Sequence, residues 1–139
     1  MSSAVERGEP QEVTGHIGAG LVAFIGVTHD DDVAMAVKLA DKLWHLRIFP
    51  DADGVMNASC AEVGGGVLVV SQFTLYGDAR KGRRPSYVAA ARPEQAEPLV
   101  EAVVTRLREH GAQVGTGRFR THMEVALVND GPVTLLLEV

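Results

Sequence analysis

Ser71-Gln72-Phe73-Thr74-Leu75 places two hydroxyls and a carboxamide directly after the apolar run Val67-Leu68-Val69-Val70. Where a buried strand ends, its backbone N–H groups leave the ladder and are free to face a ligand, so this segment has the makings of an oxyanion hole. Acyl transfer or ester hydrolysis is the chemistry such a site serves. Thr74 is a candidate nucleophile, but no residue near it in sequence offers a base, and an unactivated hydroxyl is weak. A second segment, Asn129-Asp130-Gly131-Pro132-Val133-Thr134, gathers turn-forming residues between two apolar runs. A third, Arg80-Lys81-Gly82-Arg83-Arg84, is the one dense cationic run. Taken singly, the first two read as ordinary turns and the third as a solvated loop.

Other motifs fail on their context. Gly18-Ala19-Gly20-Leu21-Val22-Ala23 matches the dinucleotide-binding spacing, yet a strand follows it where that motif needs a helix. Asp51-Ala52-Asp53-Gly54 has the look of a calcium loop, but Cys60 occupies the bidentate acid position. The glycines at 64–66 lack a following Lys-Ser/Thr pair, and Ser71 lacks a Gly-x-Ser-x-Gly elbow. The five histidines are scattered without a paired ligand spacing, and the single cysteine, Cys60, reads as a buried neutral thiol. No metal and no cofactor is expected.

The elements that must position these groups fit one domain of 139 residues, with 46% apolar and 22% charged side chains. Leu21–Val27 suits a buried strand. A helix should follow, capped by Asp30 or Asp31 and carrying Val33, Ala36, Val37, Ala40, Leu43 and Trp44 as its apolar stripe. Arg47-Ile48-Phe49 and Val55-Met56-Asn57 flank a Pro-Asp-Ala-Asp-Gly turn and form a hairpin. Val67–Val70 reads as a central strand. A second helix starts near Pro93, buries Ala96, Leu99, Val100, Val103 and Leu107, and ends at Gly111. Met123–Leu127 and Val133–Leu137 complete the set as strands, giving an α+β class with two main helices. No apolar run reaches the ~20 residues of a membrane helix and the first residues lack a signal-peptide core, so a cytoplasmic protein is expected. The net charge of −5 argues against bulk electrostatic coating of nucleic acid and makes any RNA contact local.

Together, the strand-end motif, Arg-Lys-Gly-Arg-Arg-Pro-Ser and Val-Asn-Asp-Gly-Pro-Val-Thr resemble the D-aminoacyl-tRNA deacylase family. So do Gly-Leu-Val-Ala-Phe-Ile-Gly-Val-Thr-His-Asp-Asp, Leu-Arg-Ile-Phe and the Gly-Val-Met-Asn turn exit, so the resemblance runs from about Val13 onward. It implies a mixed, partly barrel-like sheet and a homodimer acting on the aminoacylated 3′ end of tRNA. The Ser-Gln motif falls on Ser71 and Gln72, and the Gly-cis-Pro motif on Gly131 and Pro132. In such a dimer Gly131-Pro132 of one subunit enters the pocket built on Ser71 to Thr74 of the other. A cis bond before proline costs only ~0.5–1 kcal/mol over trans, so proline is suited to holding two neighbouring carbonyls side by side. Those carbonyls accept from the substrate ammonium and crowd the place of an L side chain.

The resemblance further implies substrate-assisted hydrolysis, in which the 2′-hydroxyl of the terminal adenosine activates water and backbone amides near Phe73 and Thr74 hold the oxyanion. It places Met123 and Phe119 against the adenine, though Met123 on an alternating strand equally suits an ordinary core residue. Arg80, Lys81, Arg83 and Arg84 become candidates for acceptor-stem phosphates. Family members open with a strand ending in Gln-Arg-Val, whereas this chain opens Ala4-Val5-Glu6-Arg7-Gly8. Either Arg7 is the arginine that supports the Gly-Pro geometry, or the first strand is missing. Two other activities stay open: a sister deacylase for mischarged small L-amino acids, which a trans Gly131-Pro132 bond would favour, and a non-catalytic nucleic-acid-binding relative using the basic loop.

Overall fold

The structure is a computed structural model that describes residues 2–6 and 12–139. In chain order the elements are β1 (Ser2–Glu6), β2 (Glu12–Ile17), β3 (Gly20–Ile25), α1 (Val33–His45), β4 (Arg47–Pro50), β5 (Met56–Ser59) and α2 (Cys60–Val63). After these come β6 (Gly66–Ser71), a 3₁₀ turn (Phe73–Tyr76), α3 (Pro93–Glu109), β7 (Val114–Thr116) and β8 (Met123–Leu127).

β6 is the middle strand of a parallel sheet ordered β3-β6-β7. Its unbroken apolar run is what a strand covered on both faces requires, and Val67, Leu68, Val69 and Val70 are each no more than 2% exposed. Alternation along the strand divides them between two layers. Val67 and Val69 join Ala36, Ala40 and Trp44 of α1 and Leu99, Val103 and Leu107 of α3 in the larger core. Leu68 and Val70 pack with Ile17 and with Val22, Met123 and Val125, on the side of an antiparallel sheet ordered β2-β1-β8. β4 and β5 form the expected hairpin.

The sheets do not close into a barrel among the described residues. β2 and β7 meet at one corner, where a side chain on Gly15 would strike the backbone of Thr116 and one on Gly115 would crowd His16. That contact joins the two sheets without a shared ladder. A third helix, α2, is a single turn held by a capping box between Ser59 and Glu62. The cap of α1 is Asp32, whose Oδ1 accepts from Met35 N at 3.0 Å. Asp31, one residue earlier, instead turns back to accept from Thr28 N at 2.9 Å. Val33 accordingly lies outside the stripe, 60% exposed. Val133–Leu137, expected as a strand, belongs to no ladder among the described residues, with Leu135 56% and Leu136 77% exposed. The first strand is present, since β1 pairs with both β2 and β8; Arg7 lies outside the described residues. No helix among them is long and apolar enough to cross a membrane.

α1 and α3 are tied by a polar link. Arg106 Nε donates to Asp41 Oδ1 at 2.8 Å, and His110 Nε2 lies 2.6 Å from the same oxygen. Hydrogen bonds from Arg106 first, then His110, hold the Asp41 carboxyl down at about 2. A depressed carboxyl stabilises the fold fully above the usual carboxylate range and loses that contribution as pH falls toward about 2. Asp41→Asn should therefore lower the melting temperature at neutral pH, with the gap to wild type closing between about pH 4 and pH 2. A gap that stays constant across a melting-temperature series over this range would contradict the assignment.

Candidate active site at the end of the central strand

β6 stops at Ser71, after which the chain makes one last bond to β3 and then turns in on itself. Gln72 N donates to Ile25 O at 2.8 Å, and the next residues enter the 3₁₀ turn. Leu75 N bonds Gln72 O at 3.2 Å and Gly77 N bonds Thr74 O at 2.9 Å. The N–H groups of Phe73 and Thr74 precede the first of these bonds, and neither has an acceptor among the described residues. The side chain of Gln72 donates through Nε2 to Thr74 Oγ1. Thr74 thus meets a donor amide rather than a base, which leaves its hydroxyl unactivated.

Two glycines make room for this turn. A Cβ on Gly26 would crowd the Leu75 and Tyr76 side chains at 3.1 Å, and one on Gly77 would stand 2.9 Å from both Thr74 O and the Tyr87 ring. The Phe73 ring, 56% exposed, meets Tyr87 edge to face at 5.2 Å. Tyr87 belongs to a loop clipped to the end of β3: Thr28 Oγ1 donates to Ala89 O at 2.6 Å, and His29 Nε2 lies 2.7 Å from Val88 O. Gln95 in the first turn of α3 donates to His29 O at 2.7 Å, fixing the same corner.

The opposite wall is the turn after β7. Gly117 N reaches Val69 O at 3.3 Å, Arg118 N donates to Met123 Sδ at 3.3 Å, and Thr121 Oγ1 donates to Arg118 O at 2.7 Å. Phe119 packs against the larger core and Met123 against the smaller one. Between the walls and along α3 runs a cleft of about 1300 Å³. Ser71, Gln72, Phe73, Phe119 and Met123 all line it, so residues far apart in sequence share one space. Met123 serves core and cleft together. Thr74 stands in the turn beside the lining, not in it.

Gly131 and Pro132 are exposed and line no part of this cleft within the chain. Their loop is held by Asn129, whose Oδ1 accepts from Val133 N at 3.2 Å and whose Nδ2 donates to Thr134 Oγ1 at 2.9 Å. Gly131 adopts φ +138°, a conformation suited to glycine. The basic loop is closed by a pair of backbone bonds between Asp78 and Ser86, and Arg80 is spent on it: Nε and Nη2 grip both Asp78 oxygens at 2.9 and 2.7 Å. The Arg80 guanidinium holds the Asp78 carboxyl at about 2. Lys81, Arg83 and Arg84 are exposed with no carboxylate partner among the described residues. Burial pushes the Cys60 thiol up to about 11, as a neutral core group.

Sequence reasoning passed over Tyr87, His29, Gln95 and Asn129. Asn129 carried a usable signal, since Asn ahead of a glycine-proline turn commonly bonds its own backbone a few residues on. His29 and Gln95 carried none, because their partners lie 59 and 66 residues away.

A family model described as D-Tyr-tRNA(Tyr) deacylase matches residues 2–138. The chain is 61% identical to a D-aminoacyl-tRNA deacylase of Symbiobacterium thermophilum, over 91% of this chain and 84% of that one. It is 56% identical to the D-aminoacyl-tRNA deacylase of Halalkalibacterium halodurans, over 99% of each. Among solved structures, the c-Myc DNA unwinding element binding protein superposes with a TM-score of 0.86 at 30% identity, covering 100% of this chain and 99% of that one. A probable eukaryotic D-amino acid tRNA deacylase shares the fold at a TM-score of 0.79 and 16% identity, covering 94% and 90%. With a family model spanning nearly all its residues and relatives this similar along their length, the chain belongs to the D-Tyr-tRNA(Tyr) deacylase family.

Proposed function

We infer that this chain hydrolyses the ester joining a D-amino acid to the 3′ end of tRNA. The observation that carries the reading is the pair of acceptor-free amides at Phe73 and Thr74, set at the mouth of a cleft lined by Phe119 and Met123. The terminal adenosine lies against Phe119 and Met123. Water, positioned by the 2′-hydroxyl, adds to the ester carbonyl while its oxygen accepts from the two amides. Collapse expels the 3′-oxygen, which takes up the proton, releasing free amino acid and tRNA. Hydrolysis of D-tyrosyl-tRNA by the purified chain tests this directly. Salt-sensitive RNA or DNA binding without hydrolysis would instead favour the binding-only reading, which the name of the neighbour at 30% identity keeps in view.

The site is completed by a second copy. Gly131 and Pro132 stand outside the cleft of their own chain, and Val128, Leu135, Leu136 and Val139 are exposed on the flanking extended segment. An extended apolar segment without a ladder partner suits pairing between copies. In the dimer the Gly131-Pro132 carbonyls of one subunit accept from the substrate ammonium in the other's cleft. The protein acts in the cytoplasm, where its substrate is made.

Lys81, Arg83 and Arg84 engage acceptor-stem phosphates, with Arg80 shaping their loop. Charge reversal at Arg83 and Arg84 should weaken tRNA binding equally for different D-amino acids, and lower the salt slope by about 1 for each phosphate no longer neutralised. Binding titrations over a salt series check it; weakening confined to one aminoacyl type would make the loop a side-chain selector.

A further inference from the structure

The cleft is larger than one nucleotide requires. Pockets for drug-sized ligands run to roughly 300–1,000 Å³, whereas this one measures about 1300 Å³ and follows α3 well past the strand end. Its charge changes sign along the way. Glu97 and Glu101 line the part near the start of α3, where they outweigh Arg92, itself 3.6 Å from Glu94, at the end clipped to Thr28 and His29 beside the strand end, and Arg108 follows two helical turns after Glu101 on the same face. Across from α3, Arg120 lines the cleft from the turn after β7.

Arg120 is the one non-glycine among the described residues at positive φ, +62°, a conformation side chains seldom adopt. The turn around it is fixed on every side: Phe119 in the core, Thr121 on Arg118 O, Arg118 N on Met123 Sδ. Arg118 itself pairs with Glu12 at 2.8 Å. Arg108 and Arg120 are both exposed and have no carboxylate partner among the described residues. Two guanidinium groups without a carboxylate partner among the described residues line one cleft, in a chain of net charge −5, and make that part of it locally cationic.

We propose that Arg108 and Arg120 bind the phosphates of the nucleotides just before the terminal adenosine. The proposal rests on the deacylase reading. The single-stranded end then runs from the strand end, past Glu97 and Glu101 and then Phe119 and Met123, to the cationic end. Opposite charges at the two ends orient the strand one way round. This contact is separate from the acceptor-stem contact of the basic loop and needs no duplex.

The test compares 3′-D-tyrosyl-adenosine, which has no phosphate, with the D-tyrosyl ester of the trinucleotide CpCpA. Arg120→Gly removes the charge while relieving the positive φ, so its melting temperature should equal or exceed wild type. Arg120→Gly and Arg108→Gln should each lower kcat/KM on the trinucleotide about tenfold, mostly through KM, and leave the adenosine ester within about twofold. Arg120→Lys should retain most of the trinucleotide activity. Equal loss on both substrates, or loss on neither, overturns the phosphate subsite. A wild-type chain that hydrolyses D-tyrosyl-tRNA but neither fragment overturns the phosphate subsite, one that does not hydrolyse D-tyrosyl-tRNA overturns the deacylase reading itself, and the two failures are thus told apart.

Discussion

Gly77→Ala is expected to lower D-tyrosyl-tRNA hydrolysis about a hundredfold, while Thr74→Ala stays within about tenfold of wild type. Gly77 has an ordinary backbone, φ −65° and ψ 128°, so its role is space rather than conformation. A Cβ there would stand 2.9 Å from Thr74 O, the acceptor of its own N–H, and 2.9 Å from Tyr87 Cε1. The carbonyl is backbone and cannot rotate away, so the 3₁₀ turn must move, carrying the Phe73 and Thr74 amides off their line. Loss of one oxyanion donor typically costs about 10²–10³ in rate. Thr74→Ala removes only a hydroxyl that accepts from Gln72 and leaves the backbone donor in place, so a loss within about tenfold is expected. Single-turnover deacylation beside thermal melting of each variant separates a displaced turn from an unfolded chain. A covalent aminoacyl adduct on Thr74 would overturn the assignment, as would full activity in Gly77→Ala.

The parts of this site that the sequence revealed are those whose own pattern dictates their burial. Val67–Val70 could only be a strand covered on both faces, and the Ala96, Leu99, Val100, Val103, Leu107 stripe could only face a core; both are buried as expected. The strand-end motif was therefore located correctly on β6, and its cleft partners Phe119 and Met123 came from family resemblance. Short or partner-dependent elements were not legible. β7 is three residues, Val114-Gly115-Thr116, too few to show a period, and exists because β6 offers it a parallel edge. Val133–Leu137 is an apolar run that reads as a strand, yet it joins no ladder among the described residues. Neither Asp30 nor Asp31 caps α1 as expected, because the Asp31 carboxylate turns back to Thr28 and Asp32 takes the cap. The basic run gave no sign that Asp78 would occupy Arg80.

Glycyl-tRNA should be hydrolysed at a rate comparable with D-tyrosyl-tRNA, with L-tyrosyl-tRNA slower by about a thousandfold, a barrier difference of about 4 kcal/mol. A filter made of the Gly131 and Pro132 carbonyls excludes an L-oriented Cβ without gripping a D side chain, and glycine presents nothing to exclude. The exposed, Asn129-braced loop fits that role: Asn129 ties it to Val133 and Thr134, and in the proposed dimer it would offer main-chain acceptors instead of an apolar pocket. A side-chain pocket would behave otherwise, because glycine would leave it unfilled and its transition state would be held more weakly than that of a larger D-residue. Asn129→Ala, which unties the loop from Val133 and Thr134, should therefore narrow the D-to-L ratio more than it lowers the rate on glycine. The three esters are compared at matched enzyme and salt. An inert glycyl ester beside an active D-tyrosyl ester would show that the side chain is positively recognised, and would move the filter from the Gly131-Pro132 backbone to a pocket elsewhere in the cleft.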